Sequence, residues 1–168
     1  MNKHRLWRMA GALFIVLLQI LMCNRSALWG VATPFVIVYL FLKMPSGVKP
    51  HLAMTVAFFV GLLVDLFTNT PGVYALASVT VAFLHNPLLM RIQYRDRGEE
   101  RYVPSMATLG VWRYALFAFL LTLIFCIVLF CVESFSFFAP AFLAARIVNS
   151  TLLTLIVILV VDLLMEKK

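Results

Sequence analysis

Charged residues are scarce in this 168-residue chain: Asp, Glu, Lys and Arg together make up 12% of it, whereas hydrophobic residues make up 64%. Soluble globular domains carry about 25% charged residues, and the mean hydropathy of +1.01 also excludes that class. The chain lacks the apolar–polar alternation in segments of about ten residues that a membrane β-barrel requires. The class that remains is an all-α, polytopic membrane protein.

Motifs typical of catalysis, metal binding or nucleotide binding are also missing. The three cysteines, Cys23, Cys126 and Cys131, are scattered within apolar runs and have no CxxC spacing. The sequence contains no HExxH, P-loop or GxGxxG motif. We therefore expect no enzymatic activity, no cofactor and no metal site. The net charge of +7 comes from basic residues that flank apolar runs, a pattern that indicates membrane orientation and not nucleic-acid binding.

What the chain does contain is six apolar runs, each close to the ~20 residues that cross a ~30 Å hydrocarbon core. They predict one integral membrane domain over residues 1–168, with helices at 7–23, 27–42, 51–67, 73–90, 111–132 and 140–165. The first run is interpreted as a retained helix, because Met22 before Cys23 does not suit a cleavage site. Pro34 should kink the second helix. The fifth helix, almost uniformly apolar, is expected to be the most lipid-exposed.

The basic residues predict how the six helices are threaded. With the N-terminus in the cytoplasm, twelve of the 14 Lys and Arg residues fall on the inner side: Lys3, Arg5, Arg8, Lys43, Lys49, Arg91, Arg95, Arg97, Arg101, Arg113, Lys167 and Lys168. The outer turns hold only Arg25, and Arg146 lies within the sixth helix. Cytoplasmic segments are enriched in Lys and Arg, so both termini are predicted to be cytoplasmic.

The stretch from Ala57 to Gly72 contains the most informative polar positions. Ala57, Gly61 and Asp65 recur every four residues and therefore share one face of a helix. Small residues on such a face favour close helix packing in a membrane. Pro71 and Gly72 then supply the two central residues of a type II turn. We predict a tight helical hairpin at this point.

Asp65 is the carboxylate for which a partner is most needed, since a charge within the bilayer is costly. Arg146 is interpreted as the only intramembrane cation, and it shares a helix side with Asn149, Ser150 and Thr154. We predict that this side points inward and that Asp65 and Arg146 form an ion pair. Two alternatives stay open: a ligand or coupling-ion role for Asp65, or contact of its carboxylate with water.

The other titratable residues receive structural interpretations. His85 is expected to be a hydrogen-bonded core residue, with a proton relay as the alternative. Asp162 is expected to face the inner interface near Lys167 and Lys168, and Glu133 to be a solvated helix end. The polar cluster at 96–101 is interpreted as a solvated loop, with docking of a cytoplasmic protein as the alternative.

The segment GLLVDLFTNTPGVYALA, from Gly61 to Ala77, resembles the rod shape-determining MreD family. Gln19 near the end of the first helix, the basic N-terminus and the segment FCVESFSF at 130–137 are also similar. The resemblance implies a non-enzymatic, multi-pass inner-membrane component of the bacterial cell-elongation complex. It implies a single-pass MreC-like partner, an association with MreB and peptidoglycan synthases, contact with lipid, and no nucleic acid.

MreD-like proteins are similar in fold to the substrate-binding S components of energy-coupling-factor transporters. That similarity supplies an alternative function, a membrane subunit that binds a vitamin-like ligand. Such a binder needs polar side chains that converge near the outer side. The candidates are Asp65, Asn69, Tyr74, Arg146 and Asn149.

Overall fold

The computed structural model describes residues 15–17, 19, 33–93, 102–134 and 140–166. Over these ranges the regular secondary structure is entirely helical. The helices are α1 (Ile37–Leu42), α2 (Pro50–Thr68), α3 (Val73–Ile92), α4 (Met106–Leu109), α5 (Val111–Ser134) and α6 (Pro140–Glu166). Ile15–Leu17 and Gln19 are also helical. The all-α class predicted from the composition is therefore confirmed for this part of the chain.

Within the described ranges, four helices are long and apolar enough to cross a membrane: α2, α3, α5 and the part of α6 from Ala141 to Leu163. They lie where the third, fourth, fifth and sixth helices are predicted. α3 continues through Pro87 and ends at Ile92. Most of the predicted first helix, and residues 27–32 of the predicted second one, fall outside the described residues.

The second predicted helix requires a correction, because residues 33–35 are not helical and α1 begins only at Ile37. A proline disfavours the helical conformation of the residue before it and has no N–H of its own to donate. Pro34 therefore lies in non-helical backbone near the middle of the predicted span. The sequence predicts a kink here, and the structure has non-helical backbone at residues 33–35 followed by a turn at Val36.

The bundle is built around α3 and α5. α2 packs along α3, α3 along α5, and α5 along α6, while α1 contacts both α3 and α5. An aromatic cluster lies at the centre, where the Phe35 ring is 5.3 Å from the ring of Phe125 and 5.8 Å from that of Phe130, centroid to centroid. Such tilted and edge-to-face pairs are favourable beyond the area they bury.

The expectation that the fifth helix is the most lipid-exposed is wrong. One side of α5 is completely buried, including Tyr114, Phe117, Leu121 and Phe125. A helix that is apolar on every side gives no amphipathic pattern from which the buried face can be inferred. The large aromatic side chains of α5 fill the space between α3 and α6. A smaller share of the spans in α2 and α6 is buried.

Candidate functional site

The α2–α3 hairpin is closed by small residues on the facing side of α2. Ala57 is completely buried, and a Cβ added to Gly61 would lie 2.6 Å from Ala75 Cα and 2.7 Å from the Tyr74 carbonyl oxygen. The two backbones therefore touch at Gly61. Gly72 has φ 83° and ψ −4°, the values of the third residue of a type II turn, and Pro71 occupies the second position.

Asp65 binds the first turn of α3 with its carboxylate. Oδ1 accepts a hydrogen bond from the Tyr74 N–H (2.9 Å), and Oδ2 accepts one from the Ala75 N–H (2.9 Å). The Thr70 hydroxyl also donates to Oδ1 (3.1 Å). The first N–H groups of a helix have no partner within the helix, and its N-terminus favours negative charge. A carboxylate at the end of α2 therefore serves as the cap of α3.

The predicted ion pair between Asp65 and Arg146 is not formed. The Arg146 guanidinium lies over the ring of Phe130, 4.6 Å from its centroid, and its Nη2 is 3.7 Å from Glu133 Oε1. Glu133 lies near the end of α5, and Arg146 lies in the second turn of α6. Glu133, interpreted as a solvated end, is thus partnered. Asp65 has its carboxylate engaged by the N-terminus of α3.

We expect Asp65→Ala to lower the free energy of unfolding by about 2–3 kcal/mol, because two buried N–H groups lose a charged acceptor. Arg146→Ala should cost about 1 kcal/mol or less, since its pair with Glu133 is partly exposed. The double variant should show the sum of the two losses, within about 0.5 kcal/mol. Unfolding in mixed micelles, followed by circular dichroism, measures all three.

A matched control for this double-mutant cycle is Thr70→Val. Its loss of stability should overlap with that of Asp65→Ala, because the Thr70 hydroxyl donates a hydrogen bond to the Asp65 carboxylate. A coupling above about 1 kcal/mol between positions 65 and 146 would contradict the capping assignment and restore the ion pair.

The non-helical segment around Pro34 is held by polar side chains from two other helices. Gln19 donates to the Pro34 carbonyl oxygen (3.4 Å) and accepts from the Ile37 N–H (3.2 Å). Ser150 Oγ accepts from the Thr33 N–H (3.1 Å), and Thr154 Oγ1 accepts from the Phe35 N–H (2.9 Å). Irregular backbone at membrane depth is stable only where such partners satisfy it. These three side chains therefore replace the missing helical hydrogen bonds.

The orientation of α6 is only partly as predicted. Ser150 and Thr154 are buried against the Pro34 segment, but Asn149, expected to point inward with them, is exposed. Consecutive residues of an α-helix are turned by about 100°, so Asn149 and Ser150 lie on different sides. The four-residue spacing of Ser150 and Thr154 is the sequence pattern that identifies the inner face.

An ion pair missed by the sequence analysis joins α1 to α6. Lys43 Nζ lies 2.5 Å from Asp162 Oδ1, and the Tyr39 hydroxyl donates to the same oxygen (3.0 Å). Lys43 also donates to the Pro104 carbonyl oxygen (3.2 Å) and lies over the ring of Tyr114, 5.1 Å from its centroid. Asp162 is thus buried and paired with Lys43, which corrects the expectation that its side chain simply faces the interface.

His85 lies on the buried side of α3. Its ring packs edge-to-face on Phe117, with centroids 5.3 Å apart, and Nδ1 is 3.3 Å from Asn86 Oδ1. This environment is that of a core histidine. Across the described ranges, no three His, Cys, Asp or Glu side chains come close enough together to hold a metal ion.

Comparisons with protein-family models, curated proteins and solved structures find no match to this chain. The similarities to the MreD family and to the S-component fold therefore stay predictions that rest on the quoted residues.

Proposed function

We propose that this protein is a non-enzymatic scaffold in the inner membrane that takes part in bacterial cell elongation, as MreD-type proteins do. Its partners in this proposal are a single-pass MreC-like protein and, in the same assembly, MreB and peptidoglycan synthases. Two features support the proposal. One is the resemblance of Gly61–Ala77 to that family, and the other is that polar side chains form contacts between helices of the same chain.

The observation that carries the proposal is that polar side chains form hydrogen bonds and ion pairs with other residues of the same chain. These contacts connect pairs of helices. Asp65 joins α2 to α3, and Lys43–Asp162 joins α1 to α6. Gln19 and Thr154, from two different helices, bind the Pro34 segment. Both oxygens of the Asp65 carboxylate are hydrogen-bonded, and a buried polar group that is satisfied in this way rigidifies the structure around it. A rigid bundle suits a protein that positions others.

The surface available to lipid or a partner helix is apolar. Along α2, large side chains are exposed from one end to the other: Leu52, Val56, Phe59, Leu63, Leu66 and Phe67. Side chains of this type are compatible with lipid tails and with the helix of a single-pass partner. The scaffold proposal uses both kinds of contact.

The proposal includes six spans, with both termini in the cytoplasm. We expect a reporter after Lys168, or one inserted at Gly98, to report the cytoplasm, and one at Asn69 to report the outside. The reason is the strong excess of basic residues on one side. Paired alkaline phosphatase and fluorescent-protein fusions measure this. Identical results at Gly98 and Asn69 would contradict the topology.

The function is tested by depletion in the rod-shaped bacterium that encodes the chain. Loss of the protein should make cells round while leaving vitamin uptake unchanged, and re-expression should restore cell width. The matched control is re-expression of Gly61→Ala, which is expected to be deficient in folding. Rod shape that persists after complete depletion would overturn the proposal.

A second candidate, a vitamin-binding transport subunit, is favoured by one observation. Discontinuous helices with irregular backbone near the midplane are typical of substrate sites in transporters. Residues 33–35, around Pro34, are non-helical although the sequence predicts a membrane span there. The N–H groups at Thr33, Phe35 and Ile37 are bound by side chains of the chain itself. Recovery of one small molecule per protein from gently purified material, by native mass spectrometry, would favour this candidate.

A further inference from the structure

One side of α6 presents a regular seam of exposed residues. Phe142, Leu152, Ile156 and Leu163 are 54%, 49%, 59% and 56% exposed. Together with the exposed Ala145 and Asn149 and the partly buried Leu159, they alternate in steps of three and four residues. Written in order, the seam is Phe142, Ala145, Asn149, Leu152, Ile156, Leu159 and Leu163. A 3–4 spacing is the pattern by which helices pair side by side as coiled coils.

Asn149 is the polar residue in this seam. It lies eight residues after the start of the candidate span Ala141–Leu163, which is about 12 Å along the helix at 1.5 Å per residue. Its amide makes no hydrogen bond to another residue in the described ranges. In hydrocarbon an unpaired amide is unfavourable, and asparagine is one of the side chains that hydrogen-bond across helices in membranes.

The seam fits a second copy of the same helix. Copies of one chain insert in the same direction, so two α6 helices related by a twofold axis along the membrane normal are parallel. Asn149 then faces Asn149 of the other copy. An amide both donates and accepts, so the pair is self-complementary. A single Asn at one core position of a parallel two-stranded coiled coil also fixes register and helix number.

We propose that the protein self-associates through α6, with Asn149 of each copy hydrogen-bonded to the other and Ala145 at the closest approach. The small side chain of Ala145, one turn before Asn149, allows the two backbones to come near. The association goes beyond the scaffold function and does not depend on it.

Disulfide trapping in native membranes tests the pairing. A cysteine-free version of the full-length chain is first made by replacing Cys23, Cys126 and Cys131 with alanine. Ala145→Cys in this background should form disulfide-linked dimers on mild oxidation. Ala144→Cys is the matched control, since both residues are exposed alanines at the same depth but position 144 points away from the seam. Size-exclusion chromatography verifies that each variant is folded.

The amide pair is tested by adding Asn149→Leu to the Ala145→Cys chain. Self-association, measured by co-purification of two differently tagged copies, should weaken about threefold to thirtyfold. Equal trapping at positions 144 and 145, or dimers unaffected by Asn149→Leu, would overturn the proposal. So would trapping to a different membrane protein.

Discussion

Replacing Gly61 with alanine is expected to lower the free energy of unfolding by about 3 kcal/mol. The added Cβ would lie 2.6 Å from Ala75 Cα and 2.8 Å from the Ala75 nitrogen. Both are backbone atoms, so no side-chain rotation relieves the clash and the two helices must separate. Overpacking of a well-packed interior costs about 1–3 kcal/mol and occasionally more. We expect a loss at the upper end of this range because the whole of α2 must move away from the whole of α3. Thermal unfolding in detergent measures the loss.

The control is Gly72→Ala, the same chemical change at a different kind of glycine. Gly72 has a positive φ, but its added Cβ would meet nothing within 4 Å. Only the left-handed conformation is then unfavourable, at about 1 kcal/mol. If both variants lost the same stability, the close contact at Gly61 would not be the reason for the loss.

The Gly61 contact also supports the cap of α3. Asp65 reaches the N–H groups of Tyr74 and Ala75, and Ala75 is the residue that Gly61 touches. Moving the helices apart lengthens both hydrogen bonds. The losses caused by Gly61→Ala and Asp65→Ala should therefore overlap, as changes at coupled sites do.

The hairpin could be predicted from the sequence because its determinants are local. Ala57 and Gly61 share a face with Asp65, and Pro71–Gly72 specify the turn. The partner of Asp65 could not be found by searching for side-chain cations alone. The positive end of a following helix is an equally suitable partner for a carboxylate. A turn that starts a new helix a few residues after an acidic residue is the pattern to look for.

The contacts of α6 are harder to predict. The sequence places the hydroxyls of Ser150 and Thr154 on one side correctly, but their partners are backbone groups on either side of Pro34. Backbone N–H groups need other acceptors wherever the chain leaves helical geometry. In the sequence, the proline is the one sign that the backbone does so here. Asn149 does not share their side, because a neighbour in a helix points elsewhere. Uniformly apolar runs such as α5 leave the buried side undetermined.

Lys43 and Asp162 are far apart in the sequence, so no local spacing relates them, and their pair is the second contact with a large expected effect. Lys43→Met should lower the free energy of unfolding by about 3 kcal/mol, because it leaves a buried carboxylate without its cation. The Asp162 side chain is 6% exposed, so water cannot replace the lost partner. Its remaining partner would be the Tyr39 hydroxyl. Chemical unfolding in mixed micelles measures the loss.

Asp162→Asn removes the charge that Lys43→Met leaves unpaired, so the double variant should be more stable than Lys43→Met alone. The recovery follows because a neutral amide has a much smaller desolvation penalty than a lone carboxylate. Lys49→Met is the control, since Lys49 is exposed and its loss should change stability by less than about 0.5 kcal/mol. A double variant that shows the plain sum of the two single losses would mean that Lys43 and Asp162 do not stabilise each other. The contact between α1 and α6 would then rest on the packing of Tyr39 and Tyr114 around them.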